Sequence, residues 1–357
     1  MKDKTRNLPA RIGKTALRVL AFLGMTVLLL VAGLYFAMFV IVKGPSPSAG
    51  RLFVLSLKET SAGGFLADWY MSADEIAKLR ADGAKESDSE VDISLIKLPE
   101  KKEKGEKGDE EDVIGGGTDS DESGAKNETG IEIVDVSGST YNGKMMIISD
   151  PTRVIVGVPN GYGEGCSGLS LSKMIEKYGA VGGTNAGGFV DPNGTGTGGI
   201  PDGIVISDGE LLWGEDGKSY SLAGLDGDGI LYVGRMTPEK AMKTGLKYAV
   251  SYGPALIING EPCNAGKSLG GGINPRTAIG QREDGAILLL VVNGRQIDSL
   301  GATLDDLVEI MLSHGAVNAS NLDGGSSSLM KYEGEYLNTS SYIYGGERIL
   351  ASTILVK

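Results

Sequence analysis

The chain has 357 residues, enough for about two domains or one large one, and a formal net charge of −12. With that balance and no basic stripe to meet phosphates, a general nucleic-acid binder is excluded. The single histidine, His314, excludes a histidine-cluster metal site. The two cysteines, Cys166 and Cys263, match no zinc spacing, and in an oxidising compartment they are free to pair. No metal or cofactor is therefore expected from the sequence.

Val19 to Val42 carries no charge. About 20 such residues span a bilayer as a helix, whereas signal-peptide cores run to about 7–15. Before the span lie Lys2, Lys4, Arg6, Arg11, Lys14 and Arg18 against only Asp3. The expectation is a cytoplasmic basic tail (1–18), one transmembrane helix (19–42) and an extracytoplasmic remainder, so that the membrane is a partner through the N-terminal helix. A cleaved signal, with "PSAG" as a poor cleavage site, is the weaker alternative.

Pro45 and Pro47 break the helix, and a membrane-proximal segment follows (51–98). Within it "SADEIAKLRADG" predicts a short helix, with Ser72 as cap, Glu75 three residues on and Gly83 as stop. Residues 99–130, "PEKKEKGEKGDEEDVIGGGTDSDESGAKNETG", are charged and nearly free of apolar side chains. Such a stretch cannot bury enough surface to offset its ordering entropy, so it reads as a disordered stalk.

The remaining residues, 131–357, form the globular part. Its first strands are set off by turns at Ser137–Gly138 and Asn142–Gly143. Leu169 to Gly179 is helix-like, and Ala286 to Gln296 contains an apolar run typical of a buried strand. Thr303 caps a helix with Leu304, Leu307, Val308, Met311 and Leu312 on one face. Glycine accounts for 56 residues, roughly double the usual ~7 % share, and sits between apolar runs as turns. The fold class is α+β, a mixed β-sheet domain with few helices.

Four patches could carry chemistry. In "GGTNAGGF", Asn185 lies between glycines, where backbone can approach a ligand closely. In "NPRTAIGQREDG", Arg276 opens an apolar strand and offers a planar fork for anionic oxygens. In "NGRQ", Arg295 follows the end of another strand. In "NLDGGSSSLM", Asp323 precedes a turn whose N–H groups can form an anion-binding nest. Taken singly, each is equally a turn or a surface salt bridge. A serine esterase is disfavoured because His314 lies within the preceding helix and no Ser/His/Asp set is supported.

In their order and spacing, "GTNAGGF", "NPRTAIGQREDG", "NLDGGSSSLM" and the closing "ERILASTILVK" resemble the phosphodiester glycosidase family. That family includes the animal N-acetylglucosamine-1-phosphodiester alpha-N-acetylglucosaminidase and bacterial members often labelled exopolysaccharide biosynthesis proteins. The resemblance covers roughly Ile131 to Lys357. It implies hydrolysis of the bond between a sugar C1 and a phosphodiester oxygen in a cell-wall or exopolysaccharide polymer. The partners implied are an anionic glycan or glycosyl phosphodiester and no nucleic acid.

Carried onto this chain, the resemblance makes Asp323 the base or nucleophile and Arg276 the phosphodiester ligand, with Arg295 or Arg348 beside it. Asn185 would orient sugar or phosphate, and Gly324, Gly325 and Ser326 would supply donors. Asp202 is a second carboxylate, placed by its turn between two strands. Two positions depart from the family pattern: Ser326 stands where a third glycine is usual, and Asn293 where an aspartate is. A non-catalytic envelope protein that holds anionic glycan in the same pocket is the alternative.

Overall fold

A computed structural model of the chain describes residues 8–60, 63–81, 90–98, 129–264, 271–342 and 344–357. All but the last two residues of the 99–130 stretch read as a stalk lie outside them. Helix α1 (Leu8–Lys43) contains Thr15–Lys43, a 29-residue segment long and apolar enough to cross a membrane. Its length and composition suit a membrane anchor and a signal sequence alike.

The proline pair does more than end α1. Ser46 caps a second helix, α2 (Pro47–Lys58), with Pro47 in its first turn, where a missing N–H costs nothing. Helix α3 (Ala73–Ala81) starts at the Ser72–Glu75 capping box expected from the sequence. Met38 and Val42 of α1 pack with Val54 of α2, Ala67, Tyr70 and Ile76 in a small core of their own.

From residue 131 the chain builds three antiparallel sheets. The seven-stranded sheet runs Ile131–Ser137, Asn142–Ile148, Ile287–Val292, Arg276–Arg282, Ala316–Leu322, Ala255–Ile258, Glu261–Pro262. A five-stranded sheet runs Glu335–Tyr336, Met330–Tyr332, Gly182–Asn185, Thr353–Val356, Val154–Gly157. Another runs Glu210–Trp213, Val205–Ser207, Leu246–Ser251, Tyr220–Asp226, Leu231–Met236. Helices α4 (Leu171–Tyr178), α5 (Pro238–Thr244) and α6 (Leu304–Ser313) cover the outer faces.

Strand Ile287–Val292 shows why its sequence is apolar without alternation. Ile287, Leu289 and Val291 enter the core between the sheets, while Leu288, Leu290 and Val292 meet α6 and its neighbours. A strand covered on both faces needs apolar side chains at both phases of its period-2 repeat. Helix α6 begins at Thr303 as expected, and Asp306 completes a reciprocal capping box there. Asn142–Gly143 is not a turn: Gly143 lies inside a strand, and a Cβ there would fall 2.4 Å from the Val291 carbonyl oxygen. Cys166 and Cys263 are free thiols.

Candidate active site

The register explains why distant motifs meet. Strand Arg276–Arg282 is antiparallel to both its neighbours, with Arg276 opposite Val292 and Thr277 opposite Leu322. The start of one strand therefore lies beside the ends of two others. Arg295 emerges on one side of Arg276 and Asp323 on the other. Gly325 has φ +62°, a left-handed conformation that favours glycine, and its N–H donates to the Pro275 carbonyl at 2.8 Å. Arg295 is itself left-handed at φ +58°, an unusual backbone for an arginine, and its N–H bonds to Leu300 O at 3.1 Å. Tyr252 is held opposite by a clip between Gly253 and Asn321: the Gly253 N–H donates to Asn321 O (3.1 Å), and Asn321 Nδ2 donates to Gly253 O (2.7 Å).

These ends surround a cavity of about 190 Å³. Of the residues singled out in the sequence, Arg276, Arg295, Asp323, Gly324, Gly325, Ser326 and Arg348 line it. Asn185 and Asp202 do not. Asn185 is fully buried beneath the floor, where its Nδ2 donates to the Asp323 main-chain carbonyl (2.5 Å). Its Oδ1 accepts from Thr277 Oγ1 (2.8 Å) and from the Leu329 N–H (3.2 Å). Asp202 is an exposed turn residue whose N–H donates to Gly188 O, close enough for its charge to act on Tyr252.

Three guanidiniums face the cavity in different company. Arg348 is buried, ion-paired to Asp191, bonded through Nη1 to Ser326 Oγ (2.9 Å) and Ser327 Oγ (3.2 Å), and stacked 4.8 Å from the Phe189 ring centre. Arg276, also buried, donates from Nε to Ala302 O (3.1 Å) and from Nη2 to Gly272 O (2.5 Å) and to the Glu59 carboxylate (2.9 Å). Arg295 donates to two neutral oxygens, Asn274 Oδ1 (3.0 Å) and the Glu59 carbonyl (3.3 Å).

Burial pushes the Asp323 carboxyl up to about 6. The Ser327 hydroxyl, the Arg348 charge and the Gly324 N–H pull the other way without cancelling it, and Asp191 adds to the rise. A carboxylate poised near neutrality in a cleft is a candidate acid–base or nucleophilic group. Burial first, and then the Asp323 charge, raises the Tyr252 phenol, which stays a protonated donor at the rim. Among the described residues, no group of three or more His, Cys, Asp or Glu side chains is placed to hold a metal ion.

Four lining residues were not singled out in the sequence: Glu59, Asp191, Tyr252 and Asn274. Asn274 sits two positions before Arg276 in the quoted motif, and Asp191 immediately precedes the short turn Pro192–Gly194. Glu59 carries no local signal at all, because the partner it meets is 217 residues away.

A phosphodiester glycosidase family model matches residues 178–357, half of the chain. An SPbeta prophage-derived protein of Bacillus subtilis, YomE, is 33 % identical over 168 residues, 43 % of this chain and 25 % of that protein. The bovine N-acetylglucosamine-1-phosphodiester alpha-N-acetylglucosaminidase is 28 % identical over 149 residues, 37 % of this chain and 28 % of that protein. The chain thus spans little more than a quarter of the length of these relatives. The catalytic domain of the zebrafish enzyme of that name, solved in a form auto-inhibited by its pro-peptide, shares the fold with a TM-score of 0.53 at 22 % identity, covering 63 % of this chain and 81 % of that one.

Proposed function

The chain belongs to the phosphodiester glycosidase family, and from that premise we propose that it is a membrane-anchored extracytoplasmic hydrolase of glycosyl phosphodiesters. Its substrate on this reading is a cell-wall or exopolysaccharide polymer in which a sugar C1 is joined to phosphate. The observation that carries the reading is the placing of Asp323, its carboxyl raised to about 6, in one cavity with Arg276, Arg295 and Arg348. The uncharged stretch 19–42 of α1, behind the basic residues of positions 2–18, supports anchorage with the N-terminus in the cytoplasm.

The reaction breaks the C1–O bond and leaves a phosphomonoester. Positive charge builds on the sugar ring and negative charge on the departing phosphate. The guanidiniums and the Gly324–Ser326 turn meet the phosphate, as preorganised donors aimed at developing charge. Because phosphate leaves readily, strong protonation of the leaving oxygen is not required. Asp323, ionised, removes a proton from the attacking water or itself bonds to C1 before water releases the sugar. Tyr252 donates a hydrogen bond at the rim.

The name of the bovine relative makes an N-acetylglucosamine 1-phosphodiester the first substrate to try. The test is sugar release from such diesters, and from wall polymer, by the purified full-length protein in detergent. Release that disappears in Asp323→Asn supports the reading. A protein that binds the glycan and releases nothing across the panel refutes it.

A further inference from the structure

The wall of the cavity is completed from outside the sheet domain. Glu59 follows the last residue of α2, the helix joined to α1 by Gly44–Ser46. Its Oε1 accepts from the Gly272 N–H (3.1 Å), and its Oε2 accepts from Asn274 Nδ2 (2.6 Å) and Arg276 Nη2 (2.9 Å). One turn earlier, Ser56 Oγ accepts from the Ile273 N–H (2.8 Å). The contact is close-packed: a Cβ at Gly272 would fall 2.2 Å from the Ser56 nitrogen. Arg276 is 6 % exposed, and among the described residues Glu59 is its one ion-pair partner.

The consequence is electrostatic. A buried cation keeps its full attraction for an anion unless a carboxylate sits against it. Glu59 neutralises Arg276, and Asp191 neutralises Arg348. Among the described residues Arg295 bonds only to neutral oxygens in the cavity wall, so of the three guanidiniums it is the one with no carboxylate against it, although the Glu59 charge also acts on it and Asp323 shares its cavity. With Asp323 ionised, the lining carries three positive and three negative charges and holds no spare cation. A phosphodiester brings a single negative charge to it, whereas a phosphomonoester brings about −1.5 to −2 at pH 7 and is the less favoured of the two.

We propose that Glu59, delivered by the juxtamembrane helix, is a specificity-determining residue of this pocket: by pairing Arg276 it withholds one positive charge from the anion subsite, favouring the monoanionic diester over the dianionic monoester. The proposal rests on the phosphodiester reading of the same site. It gives the pairing a use in turnover, since the reaction converts the less charged ligand into the more charged one and so favours its departure.

The experiment uses the full chain in detergent and two probes, dimethyl phosphate and methyl phosphate, with binding measured by calorimetry at pH 7.5. Glu59→Gln keeps the shape and the acceptor oxygen while removing the charge. The ratio of methyl to dimethyl phosphate affinity is expected to rise about tenfold or more, and Glu59→Asp to restore it. Product inhibition by the monoester during hydrolysis of a glycosyl phosphodiester rises in parallel. An unchanged ratio in Glu59→Gln, with an unchanged melting temperature, overturns the proposal. So does faster diester hydrolysis at an unaltered ratio, which would make the Glu59 carboxylate a plug in the phosphate seat. Failure of the phosphodiester reading shows separately, as no sugar release by the wild type.

Discussion

The Asn185 side chain donates to the main-chain carbonyl of Asp323 at 2.5 Å, so the proposed reactive carboxylate rides on a backbone that another strand holds in place. Asn185 ends strand Gly182–Asn185 of the five-stranded sheet, whereas Asp323 follows strand Ala316–Leu322 of the seven-stranded one. The amide therefore clips two sheets together directly under the cavity. Asn185→Ala removes a fully buried group and leaves the Leu329 N–H and the Asp323 carbonyl short of a partner, while Thr277 Oγ1 retains Ser328 Oγ. Each buried group so orphaned costs about 1–3 kcal/mol. Misplacing a reacting group by about 1 Å costs on the order of 10²-fold in rate. We expect a lower melting temperature together with a fall of that order in kcat. An Asn185→Ala protein with wild-type kcat would remove Asn185 from the positioning of Asp323.

Asp323 couples stability and activity in opposite senses. Its folded pKa of about 6 lies above the ordinary 3.8, so between those values the folded state binds more protons than the unfolded chain. Stability from this group is therefore fully present at acidic pH and is lost as pH rises from about 4 to 6, by ~3 kcal/mol in all. Activity that needs the ionised carboxylate runs the other way, with kcat/KM climbing through about pH 6 to a plateau. Asp323→Asn cannot ionise. It should lose about 10³-fold or more in kcat, yet gain stability relative to wild type as pH is raised from 4.5 to 7.5 in urea unfolding. A pH–rate profile that falls above pH 6 would assign Asp323 to general acid instead.

Arg348 tests whether geometry or charge matters on the far side of the pocket. Its fork holds Asp191 with one nitrogen and Ser326 and Ser327 with another, over the face of Phe189. Lysine keeps the charge but is a point donor that cannot serve both sets at once. Arg348→Lys is expected to lower kcat/KM about 10- to 10²-fold with Asp191 still paired. Equal kinetics for the two proteins would show that only the charge is used.

How much of this the sequence foretold varies with the range of the signal. The Thr303 cap of α6 and the buried strand Ile287–Val292 were legible because both are written in residues within a few positions of each other. The convergence of Arg276, Arg295 and Asp323 needed the strand register, which the apolar runs imply but do not fix. Asn142–Gly143 carries a turn signature and lies in a strand, since the absent side chain there serves close approach to Val291. Helix α2 was hidden by its prolines, read as a stop although one of them starts a helix. With α2 unread, Glu59 had no reason to stand out. Asp191 meets Arg348 across 157 positions, and no local pattern announces a pair at that separation.

The seat of α2 against the sheet domain is open to a substitution that leaves every charged group intact. Gly272 has no room for a side chain: a Cβ would lie 2.2 Å from the Ser56 nitrogen and 2.4 Å from the Ser56 Cα, both main-chain atoms that cannot swing aside. Gly272→Ala must therefore push the end of α2 away, which breaks the Ile273 N–H to Ser56 Oγ bond and draws Glu59 off Arg276. The expected signs are faster amide exchange at Ile273 and Gly272, and a lower melting temperature. The separation of a buried ion pair costs about 3–5 kcal/mol when one partner is left behind. Methyl phosphate affinity should rise as in Glu59→Gln, because Arg276 is exposed to the cavity by either route. If Ile273 stays protected from exchange in Gly272→Ala, the helix is not seated on this backbone, and the charge pairing it delivers has to be reassigned.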